Sequence, residues 1–332
     1  MSKVNFSTVK KQYLPPLILI LIYGLVASIS QVEAKDRYRV GVASWSGYES
    51  SVQGFKDGMT EAGLIENINI NYTLGEIGSD KTLQEKVAKE FKRLGVDLVY
   101  SLTTPGTAIM KEVLPEQMPI VFSIVTYPAD SGLIESFEYS GNNLVGTSNF
   151  IPLAHYISLL NLILPNAKSA AIFHRKGEPN SNIQAANMIR LLKRKGITTI
   201  NLEPRDIEEL KLMAKEQVSK VDLFITTTDT LLQAGGEAAL IEISLQHKLP
   251  ILSSNKSGIE QGSTFGPVAD FYTLGKMAAK KASRILQEKL PPTRLKSELQ
   301  DPPLFLANPN SLKQLGIVLS DTAKEKVILI TP

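Results

Sequence analysis

The chain has 332 residues, 43% of them hydrophobic and 21% charged, the proportions of a globular protein long enough for two cores. Its net charge of +3, about +1 beyond the first 34 residues, excludes the basic field that nucleic acid demands. With no cysteine, the chain has no disulfide, no thiol nucleophile and no cysteine-borne lipid anchor.

In chain order, Lys3, Lys10 and Lys11 precede an apolar run over residues 17–27 that is short for a membrane span. Val32-Glu33-Ala34 then sets small residues where a signal peptidase reads, which predicts a signal peptide over 1–34, cleavage after Ala34 and export to a periplasmic compartment. The alternative is a retained N-terminal anchor. Residues 37–43 read as a first strand, with Trp45, Ser46 and Tyr48 in the loop leaving it. An amphipathic helix with Val52, Phe55 and Met59 on one stripe ends at Gly63, and residues 67–73 alternate as a second strand. Residues 75–82 (GEIGSDKT) superficially match a phosphate-binding loop, but Asp80 stands where glycine is needed and would repel phosphate; it reads as the cap of the helix that follows. Residues 96–101 are a third strand, and Thr104-Pro105 reads as an N-cap followed by proline at the first helical position. A fourth strand over 120–125 is followed by Thr126-Tyr127-Pro128, and residues 144–149 read as a strand passing to a second lobe.

A helix over 153–164 follows, and then the plan repeats. Strands are predicted at 169–173, 198–202 and 221–226, with helices at 182–195 and 207–219 between them. Val96-Asp97-Leu98 recurs as Val221-Asp222-Leu223, and Met118-Pro119-Ile120 as Leu249-Pro250-Ile251, so two similar α/β halves are expected to face a cleft. The glycine-rich passage 258–266 is expected to cross back to the first half. A long helix over 270–288 buries Leu274, Met277, Ala278, Ala282 and Ile285; a short helix ends at Gly316 and a strand closes the chain near 327–330. The lobes are expected to span 35–147, completed by about 267–300, and 148–266, completed by about 303–332.

The sequence contains no catalytic constellation: neither a G-x-S-x-G elbow nor a G-x-G-x-x-G loop occurs, and His155, His174 and His247 lack partners at metal-ligand spacing. His174, just after a strand, is either a cleft residue or a packed one. In parallel sheets the carboxyl ends of the strands line the ligand crevice, and helix N-termini there favour anions. Thr103, Thr104 and Thr107 therefore suit a ligand carboxylate, against the plainer reading that Thr104 alone caps its helix. Asp229, beside Thr228 at the matching exit of the other half, is either a partner for a ligand ammonium or a helix cap. Trp45, Tyr48 and Tyr127 are candidates for stacking, against a role in packing.

Several stretches resemble one family: residues 54–58 (GFKDG), 119–128 (PIVFSIVTYP) with 132–134 (GLI), 143–148 (NLVGTS), 228–232 (TDTLL), 250–252 (PIL), 270–279 (DFYTLGKMAA) with 285–286, and 308–317. In their order and spacing they are similar to the substrate-binding proteins of ABC transporters, specifically the type I family with tryptophan- and tyrosine-uptake members. The resemblance implies an α/β protein of two Rossmann-like lobes with parallel sheets flanked by helices, joined by a hinge. It implies no enzyme and no cofactor, but a small ligand such as an amino acid, a membrane permease as partner and a monomeric receptor. It places ligand contacts at Trp45, Ser46, Thr103, Thr104, Thr107, Thr126, Tyr127, Asn149, Thr228, Asp229 and Asn255. The chain departs from the family at Tyr127, where members often carry aspartate, so the ligand's identity does not carry over. A sensory module reporting ligand occupancy to a membrane signalling protein is the competing function. An enzyme would need an acid–base pair, for which the strand exits offer Asp229 alone.

Overall fold

The computed structural model describes Met1 and residues 37–75, 78 and 80–330. The predicted signal peptide and its cleavage site lie outside the described residues. From the first strand the chain alternates: β1 (Tyr38–Ala43), α1 (Glu49–Glu61), β2 (Ile70–Leu74), α2 (Lys81–Leu94), β3 (Leu98–Leu102), α3 (Thr104–Val113), β4 (Ile120–Ser123) and β5 (Leu144–Ser148). A second series follows: α4 (Leu153–Ile163), β6 (Ser169–Phe173), α5 (Pro179–Arg194), β7 (Thr198–Leu202), α6 (Ile207–Gln217) and β8 (Leu223–Thr226). It continues through a π-helical turn (Leu232–Gly236), α7 (Glu237–His247), β9 (Ile251–Leu252), α8 (Lys256–Gln261) and β10 (Phe265–Val268). The remainder is α9 (Phe271–Gln287), β11 (Glu298–Leu299), β12 (Leu304–Ala307), α10 (Pro309–Leu315), α11 (Asp321–Lys326) and β13 (Ile328–Leu329).

These strands form two sheets, ordered β11-β5-β4-β3-β1-β2 and β13-β12-β10-β9-β8-β6-β7. The first is parallel throughout, and the second is parallel except where β10 meets β12. The order β2-β1-β3-β4-β5 is thus repeated as β7-β6-β8-β9-β10, which is the sequence echo realised in space. The recurring aspartates do the same job in each lobe. Asp97 accepts the Arg39 amide at 2.8 Å, and Asp222 accepts the Ser169 amide at 2.9 Å, so each ties the start of one strand to its neighbour. Helices cover both faces, so central strands such as β3 and β8 are buried along their whole length and read as largely apolar runs.

After β10 the chain returns to the first lobe, where α9 packs against α1. Glycines permit this close approach: a Cβ on Gly54 would lie 2.1 Å from the Tyr272 carbonyl oxygen, and one on Gly275 would lie 2.1 Å from that of Ser51. Phe55 stacks on Tyr100 beneath this pair at 3.9 Å between ring centroids. The passage 258–266 does not cross between lobes as expected. It forms part of α8 and the start of β10 inside the second lobe, because Phe265 and its neighbours pair with β9 and β12.

Candidate functional site

The carboxyl ends of both sheets face one cleft, and between them lies a small, polar-lined cavity. The first lobe lines it with Thr103 and Thr104 at the exit of β3, Ile124 and Thr126 at the exit of β4, and Asn149 after β5. The second lobe contributes Glu178, Asn180, Thr228 and Asn255. Tyr48 and Phe271 form an aromatic wall, their rings stacked at 5.5 Å.

Two cavity residues hold strained backbone. Thr103 has φ +68° and Ile124 has φ +57°, the left-handed region that a β-branched side chain resists. Such conformations cost on the order of 1–3 kcal/mol each and are typical of ligand clamps. Their local consequence is visible at α3. Thr103, not Thr104 as the sequence pattern suggested, is the N-cap, its Oγ1 accepting the Gly106 amide at 3.2 Å. Thr107 turns inward, with its Oγ1 3.1 Å from that of Ser101. The surplus hydroxyl is therefore Thr104 Oγ1, buried in the cavity without a protein partner in the first turn of a helix whose N-terminal end favours negative charge.

The second lobe presents the opposite character. Asn180 donates its Nδ2 to the Thr228 carbonyl at 2.6 Å, leaving its buried Oδ1 without a partner. Glu178, 4% exposed, precedes α5 and accepts the Thr230 hydroxyl at 2.6 Å. Burial and then the Asp229 carboxylate push the Glu178 carboxyl up to about 7, against the Thr230 hydrogen bonds and the Arg175 charge. Tyr48 is raised well above the usual phenol range by its own burial and then by Glu178 and Asp229, against the Arg175 charge. Asn255 donates Nδ2 to Glu237 at 2.7 Å. This half of the cavity is made of acceptors.

Other expected contacts lie outside the cavity. Asp229 is 1% exposed, and its carboxylate is occupied within its own lobe: Oδ2 accepts the Arg175 amide at 2.9 Å and the Thr227 hydroxyl at 3.0 Å, while Oδ1 accepts the Leu232 amide at 2.8 Å. It caps the following turn. Trp45 is buried in the first lobe's core with its ring nitrogen where a Cβ on Gly106 would be, at 2.3 Å, and Ser46 is half-buried beside it. Tyr127 packs on Phe150 at 5.3 Å and is pushed up to about 12 by burial, opposed by a hydrogen bond with Asn187. His174 is buried against Asn201, with Nε2 2.9 Å from Oδ1. Glu178 and Asn180 escaped the sequence reading, although the exit of β6 obeys the same strand-end rule; the pattern Glu-Pro-Asn, with proline opening a helix, was the available signal.

The lobes touch across the cleft. Thr126 Oγ1 and Thr228 Oγ1 are 3.1 Å apart, and Thr126 also donates to Asn149 Oδ1 at 3.0 Å. Buried Gln184 aligns Thr228 by accepting both its amide, at 2.9 Å, and its hydroxyl, at 2.8 Å. At the rim, Gln233 Nε2 donates to the Gly47 carbonyl at 2.8 Å and to Ser257 Oγ at 2.9 Å.

A polar cleft between two lobes agrees with what the comparisons with known proteins show. The model of the family "ABC transporter substrate binding protein" matches residues 41–327. The chain belongs to that family. Its members bind substrates and are not enzymes. Among the relatives of this substrate-binding protein is a tyrosine-binding protein of Clostridioides difficile (strain R20291), 23% identical over 294 residues, covering 86% of this chain and 83% of the relative. A solved structure from Vibrio cholerae, described as a conserved domain protein, superposes with a TM-score of 0.84 at 22% identity over 89% of this chain and 99% of that one. An ABC domain from Streptococcus pneumonia in complex with L-Trp gives a TM-score of 0.81 at 21% identity over 88% of this chain and 100% of that one. The fold is that of type I periplasmic binding proteins.

Proposed function

We propose that this substrate-binding protein is exported, closes its two lobes on an α-amino acid and delivers it to the membrane permease of an ABC transporter. The observation that carries the reading is the polarity of the cavity. Thr104 Oγ1 and the N-terminus of α3 offer donors on one side, and Glu178, Asn180 Oδ1 and Thr228 offer acceptors on the other. A zwitterion satisfies both sides at once, its carboxylate on the first lobe and its ammonium on the second. Ligand groups shared between lobes bind the closed form more tightly than the open one, which is what drives closure. The tyrosine and tryptophan bound by relatives, and the stacked Tyr48 and Phe271 in the cavity wall, put aromatic amino acids first among the candidates. Glu178 replaces Asp229 as the ammonium partner, because the Asp229 oxygens already cap their own loop. The hinge role falls to the segments that join the sheets near Asn149, Asp270 and residues 300–303.

The test is thermal unfolding of the purified protein, refolded to strip carried ligand, against the twenty L-amino acids, short peptides, purines and sugars. A ligand at a hundredfold excess over its dissociation constant stabilises the native state by about 3 kcal/mol. A saturable shift confined to amino acids is expected; a shift with sugars or purines alone overturns the assignment.

A further inference from the structure

We propose that Glu237, which does not line the cavity, is a positioning residue for ligand binding: it holds the Asn255 side chain with its amide oxygen free for the ligand's ammonium. The inference rests on the amino-acid reading above and adds a residue, and a reason for specificity, that lie behind the site.

Glu237 opens α7 and is 3% exposed, and among the described residues it has no ion-pair partner. It collects hydroxyl and amide donors instead: Ser253 Oγ and Ser263 Oγ on Oε1, at 2.5 and 2.6 Å, and Asn255 Nδ2 on Oε2 at 2.7 Å. Room for it is made by Gly258, where a Cβ would lie 2.2 Å from the carboxyl group. Burying a carboxyl group is costly unless donors surround it, and here three side chains do.

One of the three is Asn255. An amide has a donor end and an acceptor end of almost the same shape, and its neighbours decide which end faces a ligand. Glu237 Oε2 accepts from the nitrogen at 2.7 Å, and the Thr227 carbonyl, 3.4 Å from the same nitrogen, can only accept, so together they select that end. The Ser253 hydroxyl also accepts the Asn255 backbone amide at 2.9 Å, which fixes the residue at the head of α8. The amide oxygen is left for the cavity, beside Glu178 and the Asn180 oxygen. Two asparagines held with their nitrogens turned away and one carboxylate make a surface that satisfies an ammonium and rejects a ligand lacking one. A ligand without that donor would leave several buried acceptors unpaired, and this is the larger source of discrimination.

The test compares L-tyrosine with 3-(4-hydroxyphenyl)propanoate, and L-tryptophan with indole-3-propanoate, by calorimetry on the full protein. Glu237→Met removes the acceptor and should shrink the preference for the amino acid over its deaminated analogue by about tenfold, the size of one hydrogen bond to a charged group. Glu237→Gln can still turn its oxygen to Asn255 and should keep the preference within about threefold of wild type. If Glu237→Met does not fold, Glu237→Asp, which withdraws the carboxylate by one methylene, is read the same way. Equal weakening of both ligands in each pair means a structural role only and overturns the assignment. If the wild type binds an amino acid and the preference is unchanged in every variant, only the role of Glu237 falls. Failure of the wild type to bind any of the twenty L-amino acids refutes the amino-acid reading and this assignment with it.

Discussion

Glu178→Gln is the perturbation that bears hardest on the proposed site. The carboxyl group is 4% exposed, lines the cavity and sits beside the Asp229 carboxylate, so that in the empty protein its ionisation is held back to about pH 7. A ligand ammonium favours the ionised form and must displace the proton when the pH is lower. Affinity should therefore be greatest above pH 7 and fall as the pH drops below it, toward the affinity of the uncharged side chain. Glutamine keeps the shape and the acceptor oxygen but loses the charge. Breaking a buried, hydrogen-bonded charge pair costs about 2–5 kcal/mol, which corresponds to a loss of roughly thirtyfold to several thousandfold in affinity at pH 8. The variant should also be flat between pH 5 and 8. Stability of the ligand-free protein supplies a second sign. A carboxyl raised above its usual 4.5 binds its proton more tightly in the native state than in the unfolded chain, so its contribution to stability declines as pH rises from 4.5 toward 7. Glu178→Gln should remove that decline. The assay is calorimetric titration from pH 5 to 8 with the amino acid that shifts the melting temperature. An affinity within threefold of wild type, with the pH profile intact, refutes the assignment of Glu178 to the ammonium.

Asp229→Asn should lower the melting temperature, because the amide has one acceptor oxygen and either the Arg175 or the Leu232 amide then loses its partner, yet reduce affinity far less than Glu178→Gln does; parallel melting and calorimetry check this. Thr228→Val removes the hydroxyl facing Thr126 and should speed ligand release about fivefold in stopped-flow measurements, the value of about one neutral hydrogen bond. Gln233→Ala loses the rim contact to Gly47 and should act in the same direction, with little effect on the stability of the ligand-free protein. Gly106→Ala would drive a methyl into Trp45 Nε1, 2.3 Å away; denaturation in urea should show a loss of about 1–3 kcal/mol and shifted Trp45 fluorescence.

The fold was legible because it rests on short-range signals that agree with one another. Buried parallel strands show as apolar runs, helix ends carry Asp80, Asp270, Gly95 and Gly316, and the twice-used Val-Asp-Leu marks equivalent strands whose aspartates make equivalent contacts. The passage 258–266 misled because its glycines suggested a crossing linker; Gly258 instead clears space for Glu237, and Gly266 lies where a Cβ would strike the Ser253 carbonyl oxygen at 1.9 Å. The strand-end rule placed the threonine-rich exits at the cleft, but which side chain turns inward depends on single dihedral angles. The positive φ of Thr103 makes it the cap and frees Thr104, and nothing in the order Leu-Thr-Thr-Pro announces that. Asp229 looked available because its acceptors are occupied by backbone amides from residues distant in sequence, such as Arg175. Glu237 was beyond reach for the same reason: its partners Ser253, Asn255 and Ser263 lie 16 or more residues along the chain.

The most direct measurement is a crystal structure of the protein with the amino acid that raises its melting temperature. The ammonium nitrogen should lie within hydrogen-bond distance of the Glu178 carboxylate and the Asn180 and Asn255 amide oxygens, with the ligand carboxylate on Thr104 at the head of α3. Density for the ligand outside this cavity, or its head group turned so that the carboxylate faces Glu178, would contradict the account.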